Sequence, residues 1–74
     1  MSQPIKQRLE SSLSTAAASG RAIANYMLAN LYELPFQTAA DIAAKLNVSE
    51  SSVGRFCRSI GYSHFKDLKN DLTA

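Results

Sequence analysis

Apolar residues recur every three or four positions along most of this chain, the period of helices that bury one face and wet the other. Ile5, Leu9 and Leu13 predict a short amphipathic helix after Pro4, a residue well tolerated in a first turn, with a break near Ser14. Residues 15–34, TAAASGRAIANYMLANLYEL, set Ile23, Met27 and Leu31 on one stripe with Tyr26, Asn30 and Leu34 beside it. They predict a longer helix capped by Thr15 or Ser14. Pro35 stops it or marks its far side, because the residue before a proline is pushed out of helical geometry. Gly20 inside it costs about 1 kcal/mol relative to alanine. Thr38 opens a third helix with Asp41 at its third position, close to a capping box, and Ala39, Ile42, Ala43 and Leu46 form its apolar face. Asn47 suits a left-handed turn. Ser49 caps a fourth helix over residues 50–60, Gly61 ends it, and Ser63 caps a fifth on which Phe65, Leu68 and Leu72 share a face. The expectation is an all-α, single-domain bundle of five helices with no strand.

The third and fourth helices carry the most specific pattern. Ile42, Ala43, Leu46, Asn47, Val48, Val53 and Phe56 fall at the spacing of a helix-turn-helix of the homeodomain-like kind. In that pattern Ala43 lets the second helix approach, Asn47 makes the turn, Val48 fills the angle, and Val53 and Phe56 dock the second helix. At 100° per residue from Val53, Phe56, Cys57 and Ile60 lie within about 60° of it, while Ser51, Arg55 and Arg58 fall at roughly 160°, 200° and 140°. The arginines therefore belong to the wet side. Such a helix suits the major groove, where arginine pairs with guanine O6 and N7.

Charge and composition narrow the reading. Residues 1–44 balance Lys6, Arg8 and Arg21 against Glu10, Glu33 and Asp41, whereas the segment from Lys45 onward to Lys69 holds Lys45, Arg55, Arg58, Lys66 and Lys69 against Glu50 and Asp67. That local excess fits a polyanionic partner. The sequence is 46% hydrophobic and 19% charged, which argues for a folded domain. It has no apolar run of membrane-spanning length and no secretory leader pattern. With one cysteine it forms no internal disulfide, and a reducing cytoplasm is the expected setting. No phosphate-binding glycine loop, no His or Cys pair at ligand spacing and no nucleophile motif is present, so neither catalysis nor a metal or cofactor is expected.

The candidate DNA contacts follow. Ser51, Ser52 and Arg55 are assigned to base edges, with Glu50 accepting from a cytosine amino group or helping to cap. Arg58, Lys45, Lys66 and Lys69 are assigned to phosphates. Ser49 caps and touches phosphate, and Thr38 and His64, each at a helix start, join the same set. A merely solvated helix face is the plain alternative for the arginines, and a helical module for protein assembly is the alternative for the whole chain. Cys57 is expected in the core, Tyr26, Phe36, Tyr62 and Phe65 in the core or at its rim, and Gly54 at a close approach of a neighbour.

Residues 38–69, TAADIAAKLNVSESSVGRFCRSIGYSHFKDLK, resemble the amino-terminal helix-turn-helix domain of RpiR-type bacterial transcriptional regulators. The likeness rests on the valine-serine start, the RFCR core, the glycine-aromatic-serine turn and the FKDLK end, and GRAIANYMLAN resembles the preceding helix. Asn47 stands where that family often has glycine, and Gly54 where larger aliphatics are usual. The resemblance implies sequence-specific binding of double-stranded DNA, control of carbohydrate-metabolism genes, and assembly as dimers or higher oligomers. It also implies a carboxy-terminal sugar isomerase-type domain that takes a phosphorylated-sugar effector. On that resemblance the 74 residues are expected to be an excised or truncated DNA-binding domain without its effector domain.

Overall fold

A computed structural model describes residues 4–73, and among them five α-helices and one short 3-10 turn account for the regular structure. The helices are α1 (Ile5–Ser12), α2 (Ala18–Ala29), α3 (Ala39–Leu46), α4 (Glu50–Ser59) and α5 (Phe65–Thr73), with the 3-10 turn at Leu34–Phe36. Leu9, Ile23, Ala24, Met27, Leu34, Ile42, Val53, Cys57 and Leu68 are all but sealed from solvent and form one core with Ala43, Phe56, Tyr62 and Phe65. The stripes expected on each helix are the ones that meet there.

Both helices of the central pair end in the same way. Asn47 takes the left-handed conformation (φ 57°, ψ 44°), the Val48 amide bonds back to the Ala43 carbonyl at 3.0 Å, and the Asn47 amide reaches the Ala44 carbonyl. After α4, Gly61 has φ 101°, the Tyr62 amide bonds to the Cys57 carbonyl at 3.0 Å and the Gly61 amide to the Arg58 carbonyl at 3.2 Å. Each is a left-handed helix stop that satisfies otherwise free carbonyls and turns the next apolar residue inward. Gly61 is also crowded: a Cβ there would lie 2.6 Å from Arg8 Nη1. That guanidinium donates to the Ile60 carbonyl (3.1 Å) and sits 4.9 Å from the centre of the Tyr62 ring, so α1 is tied to the end of α4.

Five expectations are corrected. Helix α2 begins at Ala18 after Ala17, without a side-chain cap, because Ser14 Oγ donates instead to the Ser11 carbonyl at the end of α1. It also ends at Ala29 rather than running to Pro35: Asn30 leaves helical geometry (φ −129°), its side-chain amide donates to the Tyr26 carbonyl, and the redirected chain drops Leu34 into the core. That redirection leaves Phe36 86% exposed, neither core nor rim. Ser63 does not cap α5 with its hydroxyl. Instead His64 Nδ1 accepts from the Asp67 amide (3.1 Å), while the Asp67 carboxylate accepts from the Ser63 amide (3.0 Å). Finally, among the described residues no neighbouring element approaches Gly54; the nearest atom to a Cβ built there is Nη1 of Arg58, 3.6 Å away. Close approach occurs at Gly20 instead, where a Cβ would stand 2.9 Å from that of Ala16 and 3.7 Å from the Phe56 ring.

Burial pushes the Cys57 thiol from 9.0 up to about 11, and burial together with the hydrogen bond to Asp71 pushes the Tyr62 phenol from 10.0 up to about 12. In each case the fold favours the protonated form. The associated stability is complete below the ordinary values and is lost as pH rises from about 9 towards 12. Urea midpoints should therefore fall across that range, and Cys57→Ala, though less stable at neutral pH, should show a shallower fall between pH 9 and 11. An equal slope in the variant would show that the buried thiol is not responsible.

Candidate nucleic-acid interface

The site is built on the way α4 is seated. Val53 and Cys57 are 0% exposed and Phe56 5%, whereas Ser51, Arg55 and Arg58 on the other side are exposed. Helix α4 packs on α2, α3 and α5, so three neighbours hold its dry face and leave the arginine face to solvent. At its start the Ser49 hydroxyl accepts from the Ser52 amide at 3.1 Å and lies 2.9 Å from the Ser52 hydroxyl, with Glu50 exposed in the first turn. A carboxylate in a first turn complements the positive end of the helix dipole. Ten residues make a rod about 15 Å long, on the scale of a major groove about 12 Å wide.

The remaining candidates divide into two groups. Thr38, His64, Lys66 and Lys69 line one open groove of about 690 Å³ between the starts of α3 and α5, together with Pro35 and Phe65. Within it, the Thr38 hydroxyl accepts from the Asp41 amide (3.1 Å) while Asp41 accepts from the Thr38 amide (2.9 Å), so the expected capping box is formed. His64 is exposed, but its Nδ1 is engaged in capping α5. Lys66 is exposed. Lys69 is half-buried: its ammonium donates to the Gln37 carbonyl (2.9 Å) and lies 5.2 Å from the centre of the Phe65 ring, fastening the 3-10 turn to α5. Ser52 and Arg55 border a different cleft, of about 260 Å³, against Ala16, Ala17 and Gly20 at the start of α2. Ser52 is thus half-buried at the flank, while Lys45, exposed on the last turn of α3, has its ammonium 6.0 Å from the centre of the Tyr26 ring.

Arg8 was absent from the sequence-based candidates although it braces the end of α4. Its only sequence signal is a basic residue on a helix remote in the chain, which says nothing about its neighbour. Among the described residues no group of three or more His, Cys, Asp or Glu side chains is placed to hold a metal ion, and no helix is long and apolar enough to cross a membrane.

Comparison with known proteins bears on this geometry. Residues 4–74 match the model of the "Helix-turn-helix domain, rpiR family". The chain belongs to the RpiR family. It is 39% identical over 51 residues to the uncharacterized HTH-type transcriptional regulator YbbH of Bacillus subtilis, covering 69% of this chain and 18% of that one. To the HTH-type transcriptional regulator HexR of Escherichia coli it is 35% identical over 66 residues, 89% of this chain and 23% of HexR. Among solved structures, the Vibrio vulnificus NanR protein complexed with ManNAc-6P superposes with a TM-score of 0.88 at 33% identity, over 93% of this chain and 26% of NanR. The N-terminal domain of Bacillus subtilis YbbH gives 0.87 at 29% identity, over 97% of this chain and 88% of that domain. The chain thus spans about a fifth of the length of the curated regulators it matches. An RpiR helix-turn-helix domain is a DNA-binding module, and the assembly-module alternative is not favoured.

The stop after α4 gives a stability prediction. Gly61→Ala should lose about 1–3 kcal/mol, the usual penalty for a side chain held in a sparsely populated backbone region. Because the clashing guanidinium is the free end of a flexible chain, most of that loss should persist in an Arg8→Met background. Urea unfolding of the single and double variants measures the split; a loss that vanishes without Arg8 would place the penalty in the contact instead.

Proposed function

We propose that this domain reads DNA by laying α4 in the major groove, with α3 bracing it across the backbone. Arg55 and Ser51 face base edges in this reading, Ser52 meets the groove wall, and Glu50 accepts from a cytosine amino group or reinforces the cap. Lys45, Arg58 and the Ser49 end of α4 take phosphates. Thr38, His64 and Lys66 receive the flanking backbone in the groove between α3 and α5, and Lys69 adds its charge there while it holds the Gln37 carbonyl. The observation that carries this is the exposure of Ser51, Arg55 and Arg58 directly across α4 from sealed Val53 and Cys57.

The module acts without catalysis, as part of a longer regulator, in the cytoplasm, where its single thiol stays reduced. A rod about 15 Å long spans only a few base pairs, which supports a homodimer or higher homo-oligomer whose second copy reads a neighbouring half-site. The likeness to HexR and to NanR, the latter complexed with ManNAc-6P, supports control of carbohydrate-metabolism genes and a phosphorylated-sugar effector bound by a further domain.

Titration with duplex DNA at two salt concentrations, with sedimentation of the free protein, tests the reading. Affinity should fall steeply with salt as counterions are released. Arg55→Ala should lose about 1–3 kcal/mol of discrimination between preferred and unrelated duplexes. Lys66→Ala should weaken all duplexes alike and reduce the logarithmic salt slope by about one. Unchanged sequence preference in the Arg55 variant would remove that assignment.

A further inference from the structure

Gly54 lies in the middle of α4, one helical turn before Arg58, and it is the least crowded of the three glycines. Side chains on a helix lean towards its start, so Arg58 extends back over position 54. Among the described residues, a Cβ built at Gly54 would meet the Nη1 atom of that arginine at 3.6 Å. This is ordinary van der Waals contact: a methyl group fits, but anything longer must share the space with the guanidinium. Four residues of rise carry the charge about 6 Å towards the start of the helix, the part of a recognition helix that lies nearest base edges.

We propose that position 54 determines specificity through its size: a residue no larger than alanine lets the Arg58 guanidinium lie over the centre of α4 and pair with a base edge. This rests on the reading that α4 enters the major groove, and it moves Arg58 from the phosphates to the bases. A longer residue at position 54 drives the guanidinium off the helix surface, and the base-pair preference that it sets is lost without any loss of charge.

The test is selection from a pool of random-sequence DNA duplexes at fixed salt, using the 74-residue chain and its Gly54→Ala, Gly54→Leu, Arg58→Ala and Gly54→Leu/Arg58→Ala variants. Gly54→Ala should keep the original preference. Gly54→Leu should lose about fivefold discrimination, the lower end for a bidentate pair, at the same base pairs affected by Arg58→Ala. The double variant should lose nothing more there. Because glycine is a poor helix former, both Gly54 substitutions should raise the melting temperature, which separates lost preference from lost folding. Retention of the preference by Gly54→Leu, its loss at different base pairs, or an unchanged preference in Arg58→Ala would overturn the assignment. If the unsubstituted chain selects no sequence at all, the major-groove reading fails instead.

Discussion

The burial of Val53, Phe56 and Cys57 is the contact on which the rest depends, because it fixes the rotation of α4 about its own axis. A helix of ten residues has little intrinsic stability in water and takes its orientation from whatever its apolar side meets. Here that side meets α2, α3 and α5 at once. With three neighbours on one flank, the arginine face has nowhere to turn but outward. Exposure of Arg55 and Arg58 is therefore a consequence of core packing rather than of any local preference of arginine.

Rotation alone does not set where the helix starts and stops. That is done by two left-handed residues, Asn47 before α4 and Gly61 after it, which close their helices with the same pair of backward hydrogen bonds. The two positions differ in how tightly they are held. Asn47 is exposed at a turn, where a short polar side chain tolerates the conformation. Gly61 is pressed by the Arg8 guanidinium, so the carboxy-terminal end of α4 is joined to the first helix of the chain. The seating of α4 thus draws on a residue of α1 as well as on the helix pair itself.

The lysines show how chemistry of one type is put to separate uses. Lys66 stands in solvent, whereas Lys69, three residues on, gives a hydrogen to the Gln37 carbonyl and lies against Phe65. Counting both as equal members of a basic patch would overstate the charge that is free to meet a polyanion. His64 is similar, with one ring nitrogen committed to the start of α5.

Much of this was legible in the residues alone. Helical periodicity placed five helices, the Thr38–Asp41 pair announced its capping box, and the angular spacing on α4 separated its buried stripe from its arginines, since each depends only on residues within a turn or two of one another. Most of what the chain did not disclose depends on partners distant in sequence. The early end of α2 follows from Leu34 finding the core, and the exposure of Phe36 follows from the same turn. The transfer of capping from Ser63 to His64 reflects a local choice between two acceptors that spacing leaves equal. Arg8 on Ile60 and Lys69 on Gln37 join residues more than thirty positions apart, and only the folded arrangement of helices brings them within reach.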